Sequence, residues 1–390
     1  MAARPRFHCV VGTRPEVIKM APVIARLREA DWAETRVLAT GQHDDLLEQT
    51  LAAFRIEPEI RLDVMKEGQT LAGLTARLLT ALDPVLAEQG PGCILVQGDT
   101  TTVMATTLGA FYRRIPVGHV EAGLRTGDPA HPFPEEMNRA LAARIASHHF
   151  CPTPGARENL LREGIPAESI RVTGNTAIDA LSMCPEPEGE APGAGDARLI
   201  FVTLHRRELF GARARGVLRA LGELARSRDD VEILFPVHPN PEIRGVAHRE
   251  LEDAPRVRLC EPLDYARFVQ AMRRAYLIVS DSGGVQEEAP SLGTPVLVVR
   301  EATERPEAVA LGASRVVGTD PERLLAAIRE LLDDAERYAA MARPVRPYGD
   351  GRAAERIVDH LQRCYAPGTV AAPPLEDFRP PTPPAGSARG

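Results

Sequence analysis

LIVSDSGGVQEEAPSLGTPVLVV, residues 277–299, decides the fold. Residues 277–279 are a short apolar run with the length of a buried strand. Ser280-Asp281-Ser282-Gly283-Gly284 then makes a turn that opens a helix, and Ser291-Leu292-Gly293-Thr294-Pro295 leads into another apolar run at 296–299. Strand, helix and strand in this order build a parallel sheet. Working outward, similar runs stand at 199–203, 231–237, 257–259 and 314–317, alternating with helical patterns such as 261–274. An earlier series has runs at 9–11, 37–40, 94–97 and 117–120, with helical spacing at 17–28, from about 44, and at 103–112. The fold class is therefore α/β, as two Rossmann-like doubly wound domains. Ligands of such sheets bind outside the carboxyl ends of the strands, here in the expected cleft between domains. Residues 1–183 form the first domain, the Pro-, Gly- and Glu-rich stretch 184–196 the linker, and 197–352 the second domain. The Pro-rich segment 367–390 is expected to be a disordered tail.

Composition narrows the partners. The 390 residues exceed one ordinary core, and 44% hydrophobic residues are enough for two. Aromatic residues make up only 4%, too few for stacking on single-stranded nucleic acid. With 47 basic against 54 acidic residues the formal charge is −7, so neither nucleic acid nor an anionic membrane is an expected partner. No run approaches the roughly 18 apolar residues of a membrane span. Residues 1–7 lead straight into a strand without an apolar signal core. The six cysteines contain no Cys-x-x-Cys pair and read as reduced cytosolic thiols, which places the chain in the cytoplasm with no metal site.

Five constellations carry candidate chemistry. Gly12-Thr13-Arg14-Pro15-Glu16 joins a strand to a helix, whose N-terminal N–H groups suit an anion, with Arg14 and Lys19 adding charge. Asp99, in Gln97-Gly98-Asp99-Thr100, is either a helix cap or a carboxylate pointed at the ligand. Glu121 ends another strand, and Glu135 and Glu136 follow Pro134 at a helix start; acids are ordinary there, but converging carboxylates are what acid–base chemistry needs. His205-Arg206-Arg207 ends the second domain's first strand, and His238 repeats the pattern between prolines. Finally, Ser282, Gly283 and Gly284 can cradle a pyrophosphate, and Glu288 can accept ribose hydroxyls.

These residues resemble the non-hydrolysing UDP-N-acetylglucosamine 2-epimerases, nearly collinearly from 10 to 357. The matching stretches are GTRPEVIKMAP, QGDTTT, GHVEAGLRTGD, DSGGVQEEAPSLG, TERPEA and PYGDG. The resemblance implies a GT-B-like fold whose last helix, 353–365, returns to the N-terminal domain. It implies a homodimer that needs no metal, nicotinamide or other cofactor. The implied reaction interconverts UDP-N-acetylglucosamine and UDP-N-acetylmannosamine by eliminating UDP and adding it back to a bound 2-acetamidoglucal. Asp99, Glu121 and Glu135 become the acid–base candidates, without an assignment of faces, and His205 matches a functional histidine. Arg14, Ser282, Gly283, Gly284, Glu288 and Arg305 match UDP-contacting positions, Phe268 one that packs on uracil, and His238 one near the phosphates. Gln42 and His43 fit a second, activating site of some relatives, where Gly68 replaces an arginine. The competing functions are a hydrolysing 2-epimerase, a GT-B glycosyltransferase, a silent sugar-nucleotide binder, and a relative acting on a modified sugar.

Overall fold

The computed structural model describes residues 4–41, 45–66, 68–185, 197–206, 209 and 211–382. Gln42, His43, Arg207, Glu208, most of the expected linker and the end of the tail lie outside the described residues. The chain divides into two compact units, one of residues 1–183 and 348–380, the other of residues 184–347 and 381–390.

The first unit holds β1 (Arg6–Val11), β2 (Glu34–Ala39), β3 (Ile60–Arg61), β4 (Cys93–Gln97), β5 (Val117–Val120), β6 (His148–Cys151) and β7 (Ile170–Val172). All pair in parallel, in the order β3-β2-β1-β4-β5-β6-β7. The chain runs outward from β1 to β3, then returns to lay β4 beside β1. That reversal puts the topological switch point of the sheet at the carboxyl ends of β1 and β4. The helices are α1 (Arg14–Glu29), α2 (Asp45–Ala53), α3 (Leu71–Gln89), α4 (Thr101–Tyr112), α5 (Glu135–Ile145), α6 (Pro154–Arg162) and α7 (Thr176–Met183). In β1, Phe7, Cys9 and Val11 join one apolar cluster with α1, while Val10 joins another with α3 and α4. Both faces of the strand are covered, as a parallel sheet requires.

The second unit repeats the scheme with six parallel strands, in the order β10-β9-β8-β11-β12-β13. They are β8 (Arg198–Thr203), β9 (Val231–Pro236), β10 (Val257–Cys260), β11 (Leu277–Ser280), β12 (Val296–Val298) and β13 (Ser314–Val316). Its helices are α8 (Ala212–Ser227), α9 (Pro241–Leu251), α10 (Tyr265–Arg274), α11 (Gly283–Leu292), α12 (Pro306–Ala310), α13 (Pro321–Asp333) and α14 (Ala335–Met341). Here the reversal falls between β8 and β11. The chain then re-enters the first unit as α15 (Ala353–Tyr365), which buries Ala354, Ile357 and Leu361 in the same cluster as α1.

Some expectations change. The helix expected from 261 starts at Tyr265, because Asp264 caps it by accepting the Arg267 N–H at 2.8 Å. Strands β3, β6 and β7 escape the apolar pattern: they are two to four residues long, and β6 reads His-His-Phe-Cys. The segment expected to be unstructured is docked on the first unit as far as Pro380. Phe378 is buried and its N–H bonds the Val172 carbonyl at 2.7 Å. Arg171 holds Asp377 at 2.9 Å and the Leu375 carbonyl at 2.8 Å. One buried aromatic, a backbone bond to β7 and the Arg171 contacts offset the ordering cost that composition alone suggests is prohibitive.

Candidate active site

In the first unit, Gly12 lies where a Cβ would come within 2.5 Å of Thr40 Oγ1 and 2.9 Å of Thr102 Oγ1, so only glycine fits. The turn after β1 is not an open anion cradle, contrary to the sequence reading. Glu16 Oε2 already accepts the N–H groups of Gly12 at 2.6 Å and Thr13 at 2.7 Å, and Oε1 accepts the Thr100 hydroxyl at 2.6 Å. Burial pushes the Glu16 carboxyl above its usual range, against the pull of those bonds. Arg14 stands at the first position of α1.

The carboxylates stand at neighbouring strand ends. Asp99 follows β4; its Oδ2 pairs with Arg139 at 2.5 Å, and its carbonyl accepts Asn138 Nδ2 at 2.9 Å, both from α5. His119, buried in β5, bonds the Gly98 carbonyl at 2.7 Å, and burial lowers its pKa to about 3, so it is a neutral brace for the Asp99 turn. Glu121 follows β5 with φ of +65°, a left-handed conformation that costs a non-glycine residue about 1–3 kcal/mol. Its carboxylate pairs with Lys19 of α1 and accepts Asn175 Nδ2 at 3.3 Å. Lys19, expected to meet an external anion, thus meets Glu121. Glu135 opens α5 half-buried, and its carboxylate has no partner among the described residues. The neighbouring Glu136 instead closes the loop after β5, accepting the N–H groups of Thr126 and Gly127 at 3.1 Å each.

In the second unit the switch point is organised by Asp281, just after β11 and 1% exposed. It accepts the N–H groups of His205 at 2.9 Å and Arg206 at 2.8 Å, and meets His205 Nδ1 at 3.0 Å. Burial alone would raise the Asp281 pKa, but the His205 and backbone donors outweigh it and hold it below the usual range. With Nδ1 engaged, Nε2 is the nitrogen His205 offers to a ligand. His238 stacks on His205 with ring centres 6.1 Å apart. Burial, then His205, lowers the His238 pKa, and its Nδ1 accepts the Asn240 N–H at 3.2 Å.

Helix α11 starts beside these groups. The Gly283 and Gly284 N–H groups have no partner among the described residues, as the first turn of a helix dictates. The Arg305 guanidinium lies over Gly283, where a Cβ would come within 2.7 Å of Cζ. Glu287 fixes Arg305 Nε at 2.7 Å, and Glu304 pairs with Arg305 and Arg300 at 2.7 Å each and with Arg206 at 3.5 Å. Glu288 is buried and accepts the Tyr265 hydroxyl at 3.3 Å. Phe268 packs edge-on against Phe201 of β8, 5.2 Å between centres.

A family model described as UDP-N-acetylglucosamine 2-epimerase matches residues 25–362. The UDP-N-acetylglucosamine 2-epimerase of Salmonella typhimurium is 48% identical over 365 residues, covering 90% of this chain and 97% of its own. The chain belongs to the UDP-N-acetylglucosamine 2-epimerase family. Among solved structures, the Neisseria meningitidis enzyme of this family, bound to UDP-GlcNAc, is 41% identical with a TM-score of 0.87, covering 92% of this chain and 100% of that one. The S. aureus MnaA–UDP co-structure has a TM-score of 0.89 at 39% identity, covering 96% and 100%.

Within this epimerase-family chain, sequence reasoning overlooked the residues that hold the candidates in place. Glu16 had a readable signal, since Thr13-x-x-Glu16 has the spacing of a capping box. Asp281 sits inside the Ser-Asp-Ser-Gly-Gly turn, where the neighbouring glycines draw the phosphate reading and nothing local marks the acid as the brace of His205. Arg139 and Asn175 carry no local signal, because their partners are 40 and 54 residues away, whereas Glu304 has Arg300 and Arg305 beside it in sequence and only Arg206 lies 98 residues off.

Proposed function

We propose that the chain interconverts UDP-N-acetylglucosamine and UDP-N-acetylmannosamine by reversible elimination of UDP. One carboxylate takes the C2 proton as the bond from C1 to the diphosphate oxygen breaks, leaving 2-acetamidoglucal and UDP. A proton then reaches C2 from the opposite face, and the diphosphate oxygen re-forms the bond to C1. The C2 proton is weakly acidic, so stabilising the departing diphosphate must help drive the step. The observation that carries this reading is the open start of α11. The N–H groups of Gly283 and Gly284 and the Arg305 guanidinium are donors already in place beside the Asp281-held His205, and they cost no reorganisation during reaction. Retaining UDP there makes its re-addition effectively unimolecular.

Asp99, Glu121 and Glu135 are assigned to proton transfer at C2, and Arg14, Ser282, Glu288, Phe268 and His238 to the nucleotide. The six cysteines are unpaired, and no described helix is long and apolar enough to cross a membrane. Both facts suit a cytoplasmic enzyme. Exposed Phe111 and Tyr112 on α4 suit a homodimer.

Proton NMR of UDP-N-acetylglucosamine with the protein in deuterated water tests the reading. UDP-N-acetylmannosamine deuterated at C2, without free sugar, is expected, and Asp99→Asn should slow exchange by about 10²–10⁴. Free N-acetylmannosamine with UDP would instead assign the hydrolysing reaction. UDP binding without any exchange would overturn the epimerase reading.

A further inference from the structure

A second cluster of ligating side chains lies in the first unit, at the edge of the sheet opposite Asp99 and Glu121. Those carboxylates follow the carboxyl ends of β4 and β5, whereas His148 is the first residue of β6. In a parallel sheet, strand starts and strand ends occupy opposite edges. Helix α15 crosses this edge with His360 and Cys364, four residues apart and so on one helical face. His360 Nε2 is 3.0 Å from His148 Nδ1, and Cys364 Sγ is 3.6 Å from His360 Nε2. All three ligating atoms lie within 4.8 Å of one another.

We propose that His148, His360 and Cys364 form a zinc site, with water as the fourth ligand. Zinc binds nitrogen at about 2.05 Å and sulfur at about 2.3 Å, so tetrahedral angles separate two nitrogens by about 3.3 Å and nitrogen from sulfur by about 3.6 Å. The two edges already in place, 3.0 and 3.6 Å, approach that triangle. A small rotation of the exposed Cys364 side chain supplies the third. Two imidazoles and a thiolate are a borderline-soft set that suits zinc over magnesium or calcium.

The surroundings hold the ligands ready. The Tyr365 hydroxyl lies 3.0 Å from His148 Nε2, and as acceptor of that N–H it selects the tautomer that leaves Nδ1 for the ion. Tyr365 is itself wedged edge-on against Phe7, 5.3 Å between centres, and the His360 ring packs edge-on against Phe150 at 5.5 Å. On binding, the thiol proton of Cys364 leaves to solvent, and the proton shared between the facing imidazoles moves to a distal ring nitrogen. The sequence reading set zinc aside because it looked for Cys-x-x-Cys. The pattern here is His-x-x-x-Cys on a helix, joined by a histidine 212 residues upstream.

The test is titration of the chelator-stripped, full-length protein with Co²⁺, followed by displacement with Zn²⁺. One equivalent of Co²⁺ should give a thiolate-to-cobalt absorption in the near ultraviolet and visible bands of tetrahedral intensity, both abolished by Zn²⁺. Cys364→Ser should lose the thiolate band, and His360→Gln should weaken Zn²⁺ binding at least about tenfold. Epimerase turnover, unchanged in both variants and in the metal-free protein, reports that they remain folded. No thiolate band in the unaltered protein, or the same band and stoichiometry in Cys364→Ser, would overturn the site.

Discussion

Glu304 shows how one carboxylate can set the charge of a binding turn. It touches Arg305, Arg300 and Arg206, so three cations that would repel one another are held around a single anion. Burial works against its ionised form, but the Arg305 and Arg300 guanidiniums prevail and lower its pKa from 4.5 to about 2. A group depressed in the folded state stabilises fully above its unfolded pKa and loses that contribution as pH falls through the folded value. The window for Glu304 therefore runs from 4.5 down to about 2. At about 1.4 kcal/mol per tenfold change in proton affinity, the ceiling is about 3 kcal/mol. Urea unfolding of the protein and of Glu304→Gln should differ most above about pH 5, and the difference should shrink as pH drops toward about 3. A difference constant across that range would mean that Glu304 acts through packing alone. The same variant leaves Arg305 without the Glu304 carboxylate, so the guanidinium above Gly283 should become less well positioned for a diphosphate.

Among the elements, the docked C-terminal segment departs furthest from what its composition suggests. Prolines and few large apolar residues describe a chain that cannot build a core of its own, and that reading is physically sound. It overlooks that a segment can complete a core that already exists. Phe378 fills a position against Gly174, whose φ of +86° brings the backbone close enough for contact, 3.5 Å from a Cβ there to Phe378 Cγ. Arg356 of α15 adds a bond to the Glu376 carbonyl at 2.9 Å, so the segment ties α15 to β7. Truncating a buried phenylalanine costs about 3–5 kcal/mol in a closed core. At a chain end the segment can undock instead, which limits the loss. Phe378→Ala should therefore lower stability by about 1–3 kcal/mol and speed hydrogen exchange in β7 and α15, leaving β1 and β4 unaffected. Equal acceleration throughout the first unit would show that the segment belongs to the main core.

For the whole molecule, legibility followed the range of the interactions. Both doubly wound sheets were readable where the strand–turn–helix unit is local and the buried strand is an apolar run, as at 94–96 and 277–279, but not at the short or polar strands β3, β6 and β7. The candidate site was readable where strand ends carry glycines and acids, at Gly98-Asp99, Glu121 and Ser282-Gly283-Gly284. What could not be read were the long-range partners that aim those groups, Arg139 on Asp99 and Lys19 on Glu121, since a salt bridge leaves no periodicity. Self-association is likewise a property of surface, and the structure supplies its argument. Helix α4 packs between α3 and α5, and this layer exposes Leu71, Phe111, Tyr112, Met137 and Leu141, with Phe111 at 59% and Tyr112 at 67%. Single exposed apolar residues are ordinary, but two adjacent large aromatics at a helix end, in a chain with only 4% aromatics, are costly to leave in water. A second copy of the chain is the simplest cover, because a two-fold axis lets the same patch meet itself. Light scattering behind a sizing column should give twice the chain mass for the unaltered protein. Phe111→Glu with Tyr112→Glu should give the single mass with secondary structure intact, since neither side chain belongs to an apolar core cluster. A dimer that survives both changes would move the interface away from α4.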